Sequence, residues 1–424
     1  MKKLLAALIA ATSCASLAQA QQGPMAAEIS ARAALSLEDA IAASGGAAPA
    51  LDVARAGMEE ADANRRVAGL LPNPVVQAQV ENVAGTGPYA GMRSAETTVG
   101  FTQMLELGGK RQARIGLATA QLSRAGLQAA IAAADVRLEV TRLYIAAVAA
   151  DRRVEMARDQ ARIAQDGLRA AGVRVQAGRA SPLEQQRADV AHRTAQADVE
   201  RQERLALAAQ ANLARRIGRP VGVALDGAML DRLPAAATYG PHTPVAVEGT
   251  LALAAADADL AIADAGVGLA QANRVPDLDV GPSLRRLEAT NDMAAVFTIS
   301  MPIPLFNNGR AAVAQARAQR TEAQAQRRMT ALDLEQAITD ARVEADNAAT
   351  TARTASGPAL AAAQEAARIA RIGYREGKFG QIDLLDAERT LSQTRLAAID
   401  ALASYHYARA QLERLTAPAP QQGN

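Results

Sequence analysis

Residues 97–121 read TTVGFTQMLELGGKRQARIGLATAQ, and residues 294–319 read AAVFTISMPIPLFNNGRAAVAQARAQ. Both open on alternation: Val99 and Phe101 against Gly100 and Thr102, then Phe297, Ile299 and Met301 against Thr298 and Ser300. Period two is the signature of a strand with one polar face. Both then pass a break, Gly108-Gly109 in one and Asn307-Asn308-Gly309 in the other, and run on as Ala, Arg and Gln. Those are good helix formers. A strand that hands over to a helix twice in one chain decides the fold.

Two further pairs of segments match in the same order. Leu71-Pro72-Asn73-Pro74-Val75 has its counterpart in Val275-Pro276-Asp277-Leu278, and VQAGRASPLEQQRADV from Val175 matches YREGKFGQIDLLDAERT from Tyr374. The offset stays near 200 residues throughout, so the chain reads as a tandem duplication. Each copy follows one plan: helix, two short strands, long helix, tight turn, returning helix. The first helix runs from about Pro49 to Leu70 and stops at Pro72 and Pro74, which bar its continuation. Val76, Ala78 and Val80 then alternate with Gln77, Gln79 and Glu81, and Gly85-Thr86-Gly87-Pro88 forms a turn. In the second copy a helix spans about Val245 to Asn273, and Leu278 and Val280 alternate with Asp277 and Asp279.

No proline occurs between Pro88 and Pro182. A helix from about Lys110 to Val173 is predicted, roughly 90–100 Å long at 1.5 Å per residue. Its stability must come from a packed stripe, for which Leu117, Leu127, Ile131, Leu138, Ile145 and Val148 are the candidates. The second rod, about Arg310 to Gly373, contains Gly357-Pro358, and a kink is expected there.

Composition agrees with long, thin packing. Half of the 424 residues are hydrophobic by class but only 2% are aromatic, with no Trp. Alanine buries little area, so a compact globule of it would be weak. Lys+Arg is 46 against 44 for Asp+Glu, interspersed as on solvated helix faces, with no basic block to recruit nucleic acid. The N-terminus, MKKLLAALIAATSCASLAQAQQG, has a basic start, a short apolar run and Ala18-Gln19-Ala20, the pattern of a cleavable export leader. Cys14 is the single cysteine. It is either removed with the leader or a lipid acceptor, although Ala11-Thr12-Ser13 lacks the aliphatic residue usual before such a Cys. No stretch offers eighteen uncharged apolar residues, so no spanning helix is expected. The expected organisation is a signal peptide at 1–20, a linker at 21–34 and a first repeat at 35–225. An inter-repeat linker at 226–244, a second repeat at 245–416 and a disordered tail at 417–424 complete it.

Strands of this length cross an outer membrane when tilted. Four of them cannot close a barrel, and open edges are not tolerated in lipid. Sister protomers must seal them. Three copies would supply twelve strands, within the range of known barrels, although two or four would also close. The fold class is therefore mainly α with a small β part, the long antiparallel helices forming a cylinder beneath the strands.

The strings Leu71-Pro72-Asn73-Pro74, Leu105-Glu106-Leu107-Gly108-Gly109-Lys110-Arg111, Pro302-Ile303-Pro304-Leu305-Phe306 and Asp383-Leu384-Leu385-Asp386-Ala387 resemble the TolC-like outer-membrane efflux protein family. The first two are similar to its heavy-metal, cobalt–zinc–cadmium branch. The resemblance spans roughly Leu35 to Thr416. It implies a homotrimer, with a twelve-stranded barrel in outer-membrane lipid and a periplasmic α-barrel. It also implies two partners, a periplasmic adaptor and an inner-membrane resistance-nodulation-division pump, and a passive duct with no catalytic site or cofactor.

In that family the hairpin turns sit at the periplasmic tip. The resemblance places Gly178, Ser181 and Glu184, and Gly377, Asp383 and Asp386, at the closed end where the adaptor docks. Asp383 and Asp386 share a helix face, and three protomers would stack them into two carboxylate rings, the family's constriction. An acidic pair favoured by the helix dipole fits the same positions. Their counterparts in the first copy are Glu184 and Arg187, which makes the ring asymmetric. Tyr374 resembles the tyrosine that bonds across to the other hairpin in the closed state, and Glu184 its acidic partner. The family's closing arginine falls at Phe379 here, with Arg179 or Arg375 nearby to replace it. Gln77, Gln79, Glu81, Asp277 and Asp279 either line the mouth or form the wet face of the strands.

His192, His242 and His406 are far apart and stand at no ligand spacing, and no HExxH, CxxC, phosphate-loop or dinucleotide fingerprint appears. An enzyme is not expected. Within the fold, a multidrug or type I secretion channel is the alternative. Outside it, the alternatives are a periplasmic adaptor or a coiled-coil scaffold.

Overall fold

A computed structural model describes residues 34–221, 224–233 and 246–420. The leader expected at 1–20 and nearly all of the linker at 21–34 lie outside the described residues, as does His242.

The described residues open with a short helix that sequence reading missed, α1 (Leu37–Ser44), followed by α2 (Pro49–Ala68). Ser36 starts α1 by accepting the Asp39 N–H at 3.1 Å, and the Asp39 carboxylate accepts back from Ser36. This reciprocal pairing satisfies first-turn donors that would otherwise be orphaned. Strands β1 (Val75–Glu81) and β2 (Glu96–Leu105) follow, then α3 (Lys110–Gln176) and α4 (Pro182–Ile217). The second copy repeats the order with α5 (Leu251–Ala272), β3 (Leu278–Leu287), β4 (Asp292–Ser300), α6 (Arg310–Thr354), α7 (Leu360–Glu376) and α8 (Gln381–Leu415).

Arg310 and Glu376, the ends of the second rod, stand 200 positions beyond Lys110 and Gln176. The two rods therefore have the same length, although only the first is continuous. The expected break in the second lies at Ala355–Ala359, a π-helical turn in which Gly357 leaves helical geometry at φ −101° and ψ −105°. Pro358 explains it, since its ring cannot donate and clashes with the preceding turn.

Where strand meets rod, the chain must turn sharply. Gly108 does so at φ +70° and lies so close to Val275 that a side chain there would collide with it. Arg111 Nε donates to the Gly69 carbonyl at 2.6 Å, and Arg114 donates to the Ala68 and Leu70 carbonyls, each at 3.3 Å. These are the orphan carbonyls at the end of α2, which cations favour. Arg114 also forks onto Glu106, and Lys110 Nζ lies 2.7 Å from Asp277 Oδ2. Asp277 therefore precedes the strand and ties the second copy to the start of the first rod. It does not belong to the wet strand face where sequence reading put it.

The best-packed core surrounds the middle of α3. Val140, Tyr144, Ile145, Val148, Leu213, Ile217 and Leu230 are buried together with Leu35 and Ala40. The Tyr144 hydroxyl donates to the Leu35 carbonyl at 2.7 Å and accepts the Asp226 N–H at 3.0 Å. It thus joins the entry segment to the inter-repeat segment, where Leu35 and Leu225 also form a parallel bridge. Of the expected stripe, Leu127, Ile145 and Val148 are buried, whereas Leu117, Ile131 and Leu138 are half-buried. The difference has a simple cause: α1, α2, α4, α5 and α8 all pack on α3, so no single stripe serves its full length.

Two expected boundaries differ. The segment taken as linker contains a helical turn at Gly227–Met229, with Met229 and Leu230 buried. The tail from Ala417 is held through Pro420, the last residue described. Leu251 N–H donates to the Ala417 carbonyl at 2.9 Å, Ala419 N–H to Gly249 at 2.8 Å, and Thr250 bridges Pro418. The free backbone at the start of α5 gives those last residues partners.

Candidate functional site: an open sheet and a closed pair of hairpin tips

The four strands form one antiparallel sheet in the order β1-β2-β3-β4. The two copies meet at its centre, where Val99 pairs with Leu284 and Gly100 with Ser283. Register sorts the two faces. Val76, Ala78 and Val80 share a face with Val99, Phe101, Leu284, Phe297 and Ile299. That face is bare, with Val76 at 78% and Phe297 at 65% exposure. The other face carries Gln77, Gln79, Glu81, Thr98, Thr102, Asp279, Ser283, Arg285 and Thr298. Gln77 Nε2 donates to Thr102 Oγ1 at 3.3 Å, and Arg285 bridges Glu96 and Glu81. Among the described residues β1 pairs only with β2, and β4 only with β3. Two edges remain open beside an apolar face, which in lipid demands a neighbour.

At the far end of the rods the two hairpins close by the same local device. Gly178 and Gly377 adopt φ +67° and +77°. Arg179 N–H reaches back to the Arg174 carbonyl at 2.8 Å and Lys378 N–H to the Gly373 carbonyl at 2.8 Å, while the glycine N–H groups bond to Val175 and Tyr374. This is the helix stop that needs a left-handed residue. Ser181 then caps α4, accepting the Leu183 N–H at 3.2 Å. Asp383 Oδ2 accepts the Gly380 N–H at 2.9 Å and so caps α8, while Asp386 is exposed one turn on.

The hairpins touch through four side chains. The Tyr374 hydroxyl donates to Glu184 Oε2 at 3.4 Å, a long bond, and Gln381 Nε2 donates to the Glu184 carbonyl at 2.8 Å. The Arg174 guanidinium carbon lies 4.5 Å from the Tyr374 ring centroid, and its Nη1 donates to the Tyr374 carbonyl at 3.0 Å. Tyr374 is 4% exposed, and this burial pushes its hydroxyl pKa up. Arg174 Nε and Gln381 Oε1 are buried with no hydrogen-bond partner, so the contact is polar yet incompletely satisfied. Behind it, Arg371 forks onto Glu388, whose side chain is nearly buried.

The arginine at this contact is Arg174, five residues before Arg179 and on the hairpin opposite Arg375. Arg179 and Arg375 are both exposed. Phe379, where the resemblance would place an arginine, packs its ring over Gly373. Only folding the two copies side by side reveals Arg174, since nothing in its local sequence distinguishes it from other helix arginines. Gln381 was missed for the same reason. His406 is buried, its Nε2 3.1 Å from the Leu230 carbonyl. Among the described residues no group of three or more His, Cys, Asp or Glu is arranged to hold a metal ion.

The family model described as "Outer membrane efflux protein" matches residues 44–219 and again 245–417. The chain belongs to the outer membrane efflux protein family. It is 28% identical over 385 residues to the cobalt-zinc-cadmium resistance protein CzcC of Cupriavidus metallidurans, with 90% of each chain covered. It is 29% identical over 263 residues, 62% of each chain, to the nickel and cobalt resistance protein CnrC of the same organism. Among solved structures, a membrane protein from Pseudomonas aeruginosa superposes with a TM-score of 0.75 at 20% identity, covering 92% of this chain and 91% of that one. VceC, an outer membrane protein from Vibrio cholerae, gives 0.71 at 19%, covering 90% and 96%. CusC gives 0.70 at 16%, covering 90% and 92%. As an outer membrane efflux protein, the chain is a channel subunit of the outer membrane, mainly helical with a small sheet and an internal repeat.

Proposed function

We propose that this outer membrane efflux protein is the passive exit duct for divalent heavy-metal cations. It works as a homotrimer with a periplasmic adaptor and an inner-membrane resistance-nodulation-division pump. The observation that carries the duct is the sheet: four strands, one apolar face, one polar face and two open edges, set above paired rods of equal length. Three protomers seal the edges and place the polar face inward. The cargo rests on similarity to CzcC and CnrC, both named for metal resistance. Energy and selection belong to the pump.

In this reading the hairpin tips are the periplasmic gate. Tyr374 and Glu184 hold the two hairpins together, and Asp383 and Asp386 ring the bore at its narrowest point. Gly178, Ser181 and Gly377 shape the turns that meet the adaptor. The polypeptide is delivered by an export leader at 1–20, carries no cofactor and performs no catalysis.

Two measurements test it. Deleting the gene is expected to raise cellular Zn²⁺, Co²⁺ or Cd²⁺ and sensitivity to them. Unchanged metal content with new sensitivity to organic compounds would replace the cargo with drugs. In detergent, light scattering is expected to give three protomers per particle, and a soluble monomer would end the duct reading.

A further inference from the structure

Among the described residues of the four strands, the polar face carries the carboxylates of Glu81, Glu96, Asp279 and Asp292 but a single cation, Arg285. Glu81 and Glu96 are register partners on β1 and β2. Like charges placed directly opposite repel. Arg285, on β3, reaches across to both. Its Nη1 donates to Glu96 Oε2 at 2.8 Å, its Nη2 lies 3.4 Å from Glu81 Oε2, and its Nε donates to Thr98 Oγ1 at 3.0 Å. Asn82 Nδ2 donates to Glu96 Oε1 at 3.4 Å. The guanidinium thus bridges two facing carboxylates.

The position matters because of what passes it. Paired carboxylate oxygens are ordinary ligands for divalent ions, and a conducting path needs sites that release as readily as they bind. Resting on the heavy-metal duct reading, we propose that Arg285 keeps the barrel from binding the metal that passes through it. It acts as a tethered surrogate cation that denies Glu81 and Glu96 to the cargo and keeps the exit from retaining metal.

The test uses the full-length channel in planar bilayers, with single-channel current carried by KCl and Zn²⁺ or Co²⁺ titrated from either side. Wild type is expected to conduct with little change. Arg285→Gln is expected to be blocked at metal concentrations about tenfold lower than wild type requires. Arg285→Lys is expected to remain resistant, and Glu81→Gln added to Arg285→Gln to relieve the block. Arg285→Met, which keeps the stem length, serves if the Gln variant does not insert. Equal metal sensitivity in wild type and the neutral variants overturns the proposal, as does block that persists once Glu81 is neutralised. The readout does not depend on what the cell exports. A deletion strain with unchanged metal content would overturn the cargo reading by itself, leaving the bilayer titration to decide the role of Arg285.

Discussion

Arg174 and Tyr374 stand 200 positions apart in the chain, yet the guanidinium carbon of one lies 4.5 Å from the ring centroid of the other. The same arginine donates to the tyrosine's carbonyl at 3.0 Å, so ring and backbone are held by one side chain. Through Glu184 the ring's hydroxyl completes a contact between the two duplicated hairpins.

If these groups latch the tips, Arg174→Ala removes a cation–π contact and a hydrogen bond, together about 1–2 kcal/mol. The expected outcome is roughly tenfold more time spent open at a given voltage. Tyr374→Phe combined with Glu184→Ala is expected to act in the same direction. Open-time fractions equal to wild type in both variants would remove the latch.

The Lys110–Asp277 pair joins the second copy to the first rod, and the two side chains are only 11% and 24% exposed. Asp277→Ala leaves a largely buried ammonium without its partner, at a cost of about 2–3 kcal/mol. The urea midpoint of the detergent-solubilised protein is expected to fall. Lys110→Met together with Asp277→Leu is expected to recover much of that loss, because replacing both partners removes the unpaired charge.

Burial lowers the pKa of His406. The folded protein therefore disfavours the protonated imidazole, and the unfolded chain binds more protons below its ordinary pKa of about 6.5. This contribution is intact above that value and is lost as pH falls through it toward the depressed folded value. The thermal midpoint is expected to drop more steeply between about pH 7 and 5 in wild type than in His406→Gln. Parallel curves in far-UV circular dichroism would show that His406 has no such effect.

The second rod carries its break at Gly357-Pro358, whereas the first has Ala157 and Arg158 at the corresponding positions and stays helical. Gly357→Ala with Pro358→Ala removes the π turn and is expected to raise helicity and stabilise the rod by about 1–3 kcal/mol. If the break is the point about which the α7–α8 hairpin moves, the continuous rod is expected to open more slowly in bilayers. An unchanged opening rate would confine the break to a structural role.

The large elements were readable because their signals are local and periodic. Alternation at Val76, Ala78 and Val80, or at Phe297 and Ile299, marks a strand in any setting. A proline-free run of helix formers marks a rod. Pro358 announces a break wherever it falls in a helix. The positive-φ glycines at both tips were legible in the same way, since reversing a helix requires that geometry.

What escaped depends on which distant segments meet. α1 is too short to show its periodicity, and it is held by burial against α3 and α4. Asp277 reads as a strand residue until Lys110 arrives beside it. Arg174 and Gln381 look like any helix polar residue until the duplicated hairpins lie together. The tail at Ala417–Pro420 appears featureless because its backbone partners, Gly249 and Leu251, are supplied from far earlier in the chain. The sequence by itself determined the duplication, the strands with their two unlike faces and the rods, because covalent geometry and side-chain period act over a few residues. Only the tertiary structure decided which arginine meets Tyr374, which carboxylate holds Lys110 and where Arg285 bridges two glutamates. Those pairings are set by packing between segments nearly half a chain apart.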